Sequence, residues 1–430
     1  MTGTAMAGGN LDFSIERLGP CRFSSPMSGI RFVGDGERVL FPATIDELKA
    51  WPTDVPAMEA AGPRQTIFFD PARLACGIVT CGGLCPGLND VIRSIVLSLH
   101  HHYGVATTYG FRFGFEGLVP HCGHQPMRLT PELVNPIHEF GGSLLGSSRG
   151  PQDPAAMVAT IRRLEVGILF AIGGDGTLRG AQAIAAEAAR QRMTLSVIGV
   201  PKTIDNDVSF VQKTFGFETA VTEAQRALSA ANAEAEAASN GVGLVKVMGR
   251  DSGFIAAYAT LADGNVNFCL VPEVPFALEP FLAELRRRLK QRGHAVIIVA
   301  EGAGQHLMSG RDERDASGNK KYGDIGAFLR DAIVDVFRRD GFPITVKYIE
   351  PSYAIRSVRA TAHDSAFCLL LGQNAVHAGM SGRTNMVVSF WNHRFTHVPI
   401  SLAVSARKQI DPEGLLWSSV LAATGQGNLE

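Results

Sequence analysis

A repeating order of short apolar runs, glycine-rich loops and amphipathic helices limits the folds open to this chain. The run LACGIVT leads into CGGLCPGLND, VGILFAI leads into GGDGTLRG, and LSVIGV leads into PKTIDND. GLVKVM, followed by GRDSGF and another helix, repeats the order further on. Strands that alternate with helices form parallel sheets with helices on both faces. A chain of 430 residues exceeds one ordinary core, so either two domains of this kind or one large elaborated domain is predicted. The predicted fold class is therefore α/β, with a mainly parallel sheet in each domain.

The charge balance of the chain argues against polyanionic partners. The sequence has 40 basic and 41 acidic residues, and the net charge of -1 creates no global field for nucleic acid or membrane. No apolar stretch has the length of a membrane span, and the start lacks the pattern of a secretion signal. Seven cysteines, an odd number, are typical of reduced thiols. We expect a cytoplasmic protein that has no nucleic-acid or membrane partner. Any anion is expected to bind at a local site.

Two glycine-rich loops at predicted strand ends are candidate phosphate sites. Gly83 lies in a loop before a helix, where backbone N–H groups can hold a phosphate, although such turns are also common without a ligand. In GGDGT, Asp175 either caps the helix or binds Mg2+, and the glycines let a polyphosphate approach the backbone. The loop with Gly83 has neither the Walker nor the dinucleotide-binding pattern, which disfavours a Walker-type ATPase and a Rossmann dehydrogenase.

The segment PKTIDND places charged groups directly after a buried strand. Asp205 and Asp207 alternate across Asn206, so in an extended segment they point the same way. Two carboxylates that close need a cation, a proton or a hydrogen-bond partner. If Mg2+ holds one, the other can take the proton of a substrate hydroxyl, while Lys202 and Thr203 donate to a migrating phosphoryl group. The alternative is an Asx-turn loop with solvated acids.

Two arginines complete the candidate site. Arg149 in LLGSSRGPQD and Arg250 in VMGRDSG follow a turn or an apolar strand, where a role in solubility alone would be unusual. Phosphoryl transfer depends on positioning and charge neutralisation, which arginines and Mg2+ around paired acids provide. Either arginine alone could form a structural ion pair. Together with the loops, they predict a phosphoryl-transfer enzyme.

Eight motifs, in chain order, carry a resemblance to a known family: CGGLCPGLND, GGSLLGSSRGPQD, GGDGT, PKTIDND, TFGFETAV, VKVMGRDSGFIAA, VPEVPF and IIVAEGAGQ. They closely resemble the 6-phosphofructokinases, in particular the ATP-using plant and trypanosomatid branch, from about Cys76 to Arg383. The resemblance implies a phosphofructokinase-like two-domain fold, ATP and fructose 6-phosphate as substrates, Mg2+ as cofactor, and a homo-oligomer, either tetramer or dimer. The implied units are an N-terminal extension that wraps the core (1–71), a nucleotide-binding domain (72–216 plus 355–405), a sugar-phosphate-binding domain (217–354) and a C-terminal tail (406–430).

The resemblance also implies roles for single residues. Asp205 is the general base on the sugar hydroxyl, Asp207 supports it and the metal, and Asp175 organises Mg2+. Arg250 and Thr203 contact the transferring phosphoryl group, and Lys202 completes the catalytic set. Implied ATP contacts are Gly83, Arg149, Gly174, Asp175, Gly176, Thr177 and Gly180. Implied sugar contacts, besides Thr203, Asp205 and Arg250, are Met248, Gly249, Glu301, Lys347, Tyr353 and Arg356, the 6-phosphate being held by the last three.

Departures from the family pattern leave two alternatives open. Gly176 leaves room for the α-phosphate of ATP, whereas Lys202 is typical of pyrophosphate enzymes; the steric argument favours ATP, because a lysine can swing aside. A pyrophosphate-dependent phosphofructokinase is thus the first alternative, and a catalytically inactive regulatory subunit is the second. Gly241 stands where bacterial ATP enzymes have an arginine for a neighbouring subunit's sugar phosphate. Lys347 also replaces an arginine, and its point charge is less directional.

Overall fold

The computed structural model describes residues 11–51, 53–308 and 321–429, and its strands form four sheets. Their bounds are β1 Glu16–Arg17, β2 Phe23–Ser24, β3 Arg38–Leu40, β4 Ala57–Ala60, β5 Thr66–Ile67, β6 Ala75–Thr80, β7 Thr107–Phe111, β8 Met127–Arg128, β9 Val166–Gly173, β10 Ser196–Pro201, β11 Gly241–Val247, β12 Phe268–Leu270, β13 His294–Ala300, β14 Thr345–Ile349, β15 Arg383–Thr384, β16 Met386–Trp391 and β17 Arg394–Pro399.

The larger sheet has nine strands in the order β3-β4-β17-β16-β10-β9-β6-β7-β8. The central strands β16, β10, β9, β6 and β7 are parallel, as predicted. The edges are antiparallel, with β3, β4 and β17 on one side and β8 on the other. Strands β16 and β17 are joined by a tight turn in which Asn392 and His393 both have positive φ, the backbone of a two-residue hairpin.

The smaller sheet has four strands in the order β12-β13-β11-β14, and every neighbouring pair is parallel. Two further ribbons, β1 with β15 and β2 with β5, attach the N-terminal segment to the body. The apolar runs that predicted β6, β9, β10, β11 and β13 are almost wholly buried, because helices cover both faces of each sheet.

The helices form layers around the sheets. Their bounds are α1 Ile45–Leu48, α2 Leu88–Leu97, α3 Pro131–Val134, α4 Pro154–Arg163, α5 Asp175–Arg190, α6 Phe217–Glu236, α7 Phe254–Asp263, α8 Leu278–Arg292, α9 Ile325–Arg339, α10 Ser352–Ser357, α11 Ala362–Met380, α12 Ile400–Ala403 and α13 Leu415–Thr424. Among the described residues, no helix combines the length and apolar character needed to span a membrane.

Three hydrophobic cores hold these layers together. Helices α4 and α5 pack on one face of the larger sheet, and α8 and α9 pack on the outer face of the smaller sheet. Between the two sheets, α2, α11, α6 and α7 share one continuous core. This arrangement confirms the predicted α/β fold class. Helix α6 corresponds to the alanine-rich segment and contacts both α11 and the smaller sheet.

Segments outside the repeating units also pack on the body. The N-terminal segment supplies the edge strand β3 and its neighbour β4 of the larger sheet. After α12, the chain crosses to the smaller sheet, where α13 packs against α7 and β12. The Gln426 side-chain amide pairs with the backbone of Cys269 on edge strand β12, at 2.7 and 3.3 Å. The C-terminal segment is therefore part of the folded unit.

Candidate active site

The loops that follow β6, β9 and β10 meet at the carboxyl edge of the larger sheet. The Lys202 N–H donates to the Gly173 carbonyl at 3.0 Å, and the Lys202 Nζ donates to the Gly83 carbonyl. The Gly83 loop, the Gly174 loop and the PKTIDND loop are thereby joined through one lysine. Ligands of parallel α/β sheets collect at this edge, as the sequence predicts.

Basic side chains surround the bare backbone at Gly83. A Cβ atom built at Gly83 would lie 3.0 Å from Arg356 Nη1 and 3.6 Å from Arg149 Nη2. Burial lowers the pKa of Lys202 next to these arginines, and its side chain is only 5% exposed. Positive charge concentrated around backbone without side chains suits a polyphosphate. Arg356, implied at the sugar 6-phosphate, thus lies beside the Gly83 loop.

The PKTIDND loop turns instead of continuing as an extended segment. Asn206 has φ +54°, in the left-handed region that asparagine tolerates better than most residues. Its Oδ1 accepts a hydrogen bond from the Thr214 N–H at 3.0 Å, which fixes the turn. The expectation of an extended segment was wrong at this point. The Thr203 hydroxyl donates to Asp207 Oδ1 at 3.0 Å and accepts from the Asp205 N–H at 3.0 Å, so one side chain orders both acids.

Asp205 has the electrostatic environment of a base. Its Oδ1 is buried without a hydrogen-bond partner. Burial raises the pKa of Asp205 well above its usual range, and the neighbouring Asp207 and Glu301 carboxyls raise it further, against Arg407 and Arg250. Burial also raises the pKa of Asp207, although the Arg407 guanidinium opposes this shift. A buried carboxylate oxygen without a partner is an available acceptor for a substrate proton.

Asp175 is the first residue of α5, Gly174 has the N-cap position, and no side chain at that position caps the helix. Its Oδ2 accepts a hydrogen bond from Arg179 Nε at 3.1 Å, and the side chain is 38% exposed. At Gly176 a Cβ would have nothing within 4 Å, so the loop is open there, and Thr177 beside it is buried. At Gly180, by contrast, a Cβ would lie 2.4 Å from Phe115 Cε2. Gly180 therefore packs against a ring, which explains the glycine without any phosphate.

The acids fit Mg2+ in the mode used by nucleotide enzymes. In the part of the chain that the structure describes, no three His, Cys, Asp or Glu side chains converge as a complete metal cage. Mg2+ in such enzymes is bound by one or two carboxylates together with substrate phosphates and water. Asp175 and the PKTIDND acids follow adjacent strands and offer only oxygen ligands. These groups are suited to a magnesium ion that arrives with a polyphosphate.

Residues that follow strands of the smaller sheet lie close enough to Asp205 to affect its pKa, and the loop after β11 supplies one of them, Arg250. Gly249 has φ +127°, and a Cβ there would lie 2.7 Å from the Ser252 carbonyl oxygen, so only glycine fits. The Arg250 guanidinium lies over the Tyr322 ring, 5.5 Å from its centre. Glu301, at the end of β13, donates its N–H to Val247 at 2.9 Å. Met248, beside Gly249, packs against the central core.

Two of the implied sugar contacts, Lys347 and Tyr353, have partly or largely exposed side chains. Lys347 on β14 pairs with Glu234 of α6 at 3.1 Å, and the two side chains are 42% and 59% exposed. Tyr353 is 73% exposed, and the Arg356 guanidinium lies over one face of its ring, 4.9 Å from the ring centre. At Gly241 a Cβ would lie 2.0 Å from the Ala235 carbonyl oxygen. Close packing of β11 on the end of α6 therefore explains the glycine at this position.

Two functional candidates were missed in the sequence. Arg407 Nη1 lies 3.6 Å from Asp207 Oδ2 and forms an ion pair with Asp251. The next residue, Lys408, is half-buried, and its Nζ donates to the carbonyls of Val211 and Gln212 at 2.9 and 3.1 Å. The only signal in the sequence is an adjacent basic pair shortly after the last strand, which does not identify its partners.

The family comparison agrees with this geometry. The model of the family described as Phosphofructokinase matches residues 75–379, so the chain belongs to the phosphofructokinase family. An ATP-dependent 6-phosphofructokinase of Borreliella burgdorferi is 46% identical, with 97% of each chain covered. One of Trypanosoma cruzi is 50% identical, with 85% of this chain and 76% of that protein covered. A chloroplastic one of Arabidopsis thaliana is 46% identical over 85% of this chain and 68% of that protein. The predicted resemblance to the plant and trypanosomatid branch is confirmed.

Solved structures show the same fold at low sequence identity. A pyrophosphate-dependent phosphofructokinase from Marinobacter aquaeolei has a TM-score of 0.67 and 20% identity, with 82% of this chain and 91% of that chain covered. A phosphofructokinase from Saccharomyces cerevisiae has a TM-score of 0.62 and 24% identity, with 77% and 45% covered. Both support the two-sheet architecture and are too distant in sequence to indicate the phosphoryl donor.

Proposed function

We infer that this chain is an ATP-dependent 6-phosphofructokinase, which transfers the γ-phosphoryl group of ATP to O1 of fructose 6-phosphate and yields fructose 1,6-bisphosphate and ADP. The observation that carries the mechanism is the buried, unpartnered Oδ1 of Asp205 at the edge where the basic loops converge. The names of the relatives support the choice of substrates.

Asp205 acts as the general base in this mechanism. It accepts the proton of the sugar O1 hydroxyl while O1 forms a bond to the γ-phosphorus; the bond from that phosphorus to the bridging oxygen breaks, and ADP leaves with the electron pair. Thr203 keeps Asp207 beside Asp205. Lys202, Arg149 and Arg250 stabilise the charge on the phosphoryl groups. Bound Mg2+, held by Asp175 with the phosphates and supported by Asp207, would neutralise phosphate oxygens.

Other contacts orient the two substrates. Gly83, Gly174, Gly176 and Thr177 line the nucleotide phosphates, while Met248, Gly249 and Glu301 face the sugar. We assign Arg356, with Tyr353 and Lys347, to the sugar phosphate. We also propose a homo-oligomer, as the resemblance implies. Because Gly241 has no room for a side chain, another residue must provide any grip on a neighbouring subunit's substrate.

The variant Asp205→Asn tests the mechanism. Loss of the base is expected to lower kcat about a hundredfold to ten-thousandfold, with unfolding unchanged, in an assay of ADP release with fructose 6-phosphate. Asp331→Asn, an exposed acid on α9, is the matched control and is expected to keep normal turnover. Near-normal turnover of a folded Asp205→Asn protein would refute the role of Asp205.

Pyrophosphate remains a second candidate donor, because Lys202 is the residue typical of pyrophosphate enzymes. Gly176 supports ATP, since the open space beside it accommodates an α-phosphate. Wild-type rates with ATP and with pyrophosphate, at equal magnesium, distinguish the two donors. We expect ATP to be used and pyrophosphate not; equal rates would contradict the steric argument.

A further inference from the structure

A short segment after α12 connects the two halves of the site. We call residues 407–410 the C-terminal strap. Toward the larger sheet, the Lys408 N–H donates to the Asp207 carbonyl at 2.8 Å, next to the Lys408 Nζ contacts described above. Toward the smaller sheet, the Ser252 hydroxyl donates to the Lys408 carbonyl at 2.6 Å, and Gln409 Nε2 donates to the Asp251 carbonyl at 2.9 Å. The Ile410 N–H completes the strap with a hydrogen bond to Glu273 at 2.9 Å.

The Arg407 side chain adds a charged connection to these backbone contacts. Its guanidinium lies between Asp207 and Asp251, one acid from the loop of each sheet. The other oxygen of Asp251 accepts a hydrogen bond from the Tyr322 hydroxyl at 2.5 Å. Because the Tyr322 ring lies under the Arg250 guanidinium, a continuous series of contacts runs from Asp207 to Arg250. Arg407 and Asp251, which are in direct contact, stand 156 residues apart in the chain.

Partial burial makes this series more than a surface ion pair. The exposed fractions of the side chains are 31% for Arg407, 15% for Asp207 and 33% for Asp251. Groups facing the acid pair include Glu301, Arg250 and Lys408 as well as Arg407. Removal of the Arg407 side chain would leave Asp207 and Asp251 without the cation they share, and only the backbone contacts of the strap would then connect the two loops.

We propose that Arg407 is a positioning residue for phosphoryl transfer, which holds Asp207 and Asp251 together and thereby fixes the Asp205–Asp207 pair relative to Arg250. This inference rests on the proposed function. Arg407 acts through the two acids and is given no contact with the substrates. A planar guanidinium can contact two carboxylates at once, which a lysine ammonium does with less directional control.

Steady-state kinetics of Arg407→Gln test the proposal. Because misplacement of reacting groups affects the transition state, kcat is expected to fall about tenfold to a hundredfold, with the KM values for ATP and fructose 6-phosphate changed less than about threefold. Arg407→Lys should recover part of the lost kcat. The matched control is Arg286→Gln, since Arg286, on α8 at the outer face of the smaller sheet, also pairs with an aspartate and is 29% exposed. It should keep the wild-type kcat.

Asp251→Asn tests the same connection from the other side and replaces Arg407→Gln if that variant does not fold. It should lower kcat to a similar extent, and the double variant should lose little more than either single variant, because both changes break one connection. An active wild type whose folded Arg407→Gln and Asp251→Asn variants keep normal kcat would refute the positioning role alone. A wild type that does not phosphorylate fructose 6-phosphate would refute the proposed function, and the role of Arg407 with it.

Discussion

Gly176 determines how much room the donor has beside the GGD loop. Because a Cβ at this position has no neighbour within 4 Å, both Gly176→Ala and Gly176→Asp should fold normally. A carboxylate there would stand against the α-phosphate, and like charges placed together are costly. We expect Gly176→Asp to lower kcat/KM for ATP about tenfold to a hundredfold, whereas Gly176→Ala keeps most of it. Equal losses in both variants would show that bulk, rather than charge, limits the donor.

The sequence alone identifies some of the functional residues and misses others. Asp205 and Asp207 could be selected because two acids directly after a buried strand have few structural uses. A turn in this segment was only the alternative prediction, since the contact that fixes the turn at Asn206 is made by Thr214, eight residues later. Arg407 was missed for the same kind of reason: its partner Asp251 lies 156 residues away, and nothing local marks the pair.

Helix α5 combines an open first turn with a tightly packed second turn. Gly180 is in contact with Phe115, and an added methyl would overlap that ring. Overpacking of a core contact costs about 1–3 kcal/mol, against about 1 kcal/mol gained from replacing a helical glycine by alanine. Gly180→Ala should therefore lower the free energy of unfolding, measured in urea, by roughly 1 kcal/mol.

Two further variants distinguish packing from phosphate binding at Gly180. Gly176→Ala, in the open first turn of the same helix, should leave stability unchanged or raised slightly. Phe115→Leu combined with Gly180→Ala should recover part of the loss, because the smaller side chain makes room. If Gly180→Ala instead kept full stability and raised the KM for ATP, the residue would serve the nucleotide rather than the packing.

Elements with a strong local pattern were predictable, and elements defined by their partners were not. Strands β6, β9 and β10 are apolar runs that end in glycine or charge, and α6 is a long run of good helix formers. Strand β4, next to the edge strand β3, reads only AMEA, and its place is set by pairing with β17, more than 300 residues later. Antiparallel edges therefore had no local signal in the sequence.

At the scale of the whole molecule, a buried ion cluster connects the N-terminal segment to the last strands of the larger sheet. Glu59 on β4 contacts Arg383 Nε at 2.8 Å and His397 Nδ1 at 2.9 Å, while Arg64 Nη2 lies 3.4 Å away. All four side chains are at most 5% exposed. Burial alone would raise the pKa of Glu59, but hydrogen bonds and charge from His397 and Arg383 outweigh burial and hold that pKa far below its usual range.

Because of this cluster, the free energy of unfolding is expected to depend on pH in the acid range. Because the folded-state pKa of Glu59 lies below the ordinary value of 4.5, its contribution is fully present above that pH and is lost as the pH falls further. Glu59→Gln should lower the free energy of unfolding by about 3–5 kcal/mol at pH 7, since the buried Arg383 and Arg64 would keep only the exposed Asp35 as an acidic partner. The difference in the free energy of unfolding between Glu59→Gln and the wild type, measured by urea unfolding at several pH values, should become smaller below about pH 4.5. Glu187→Gln, which alters contacts with Gln191 and with the 71% exposed Arg190, should change stability little. A Glu59→Gln protein with wild-type stability at pH 7 would show that the cluster does not hold the N-terminal segment in place.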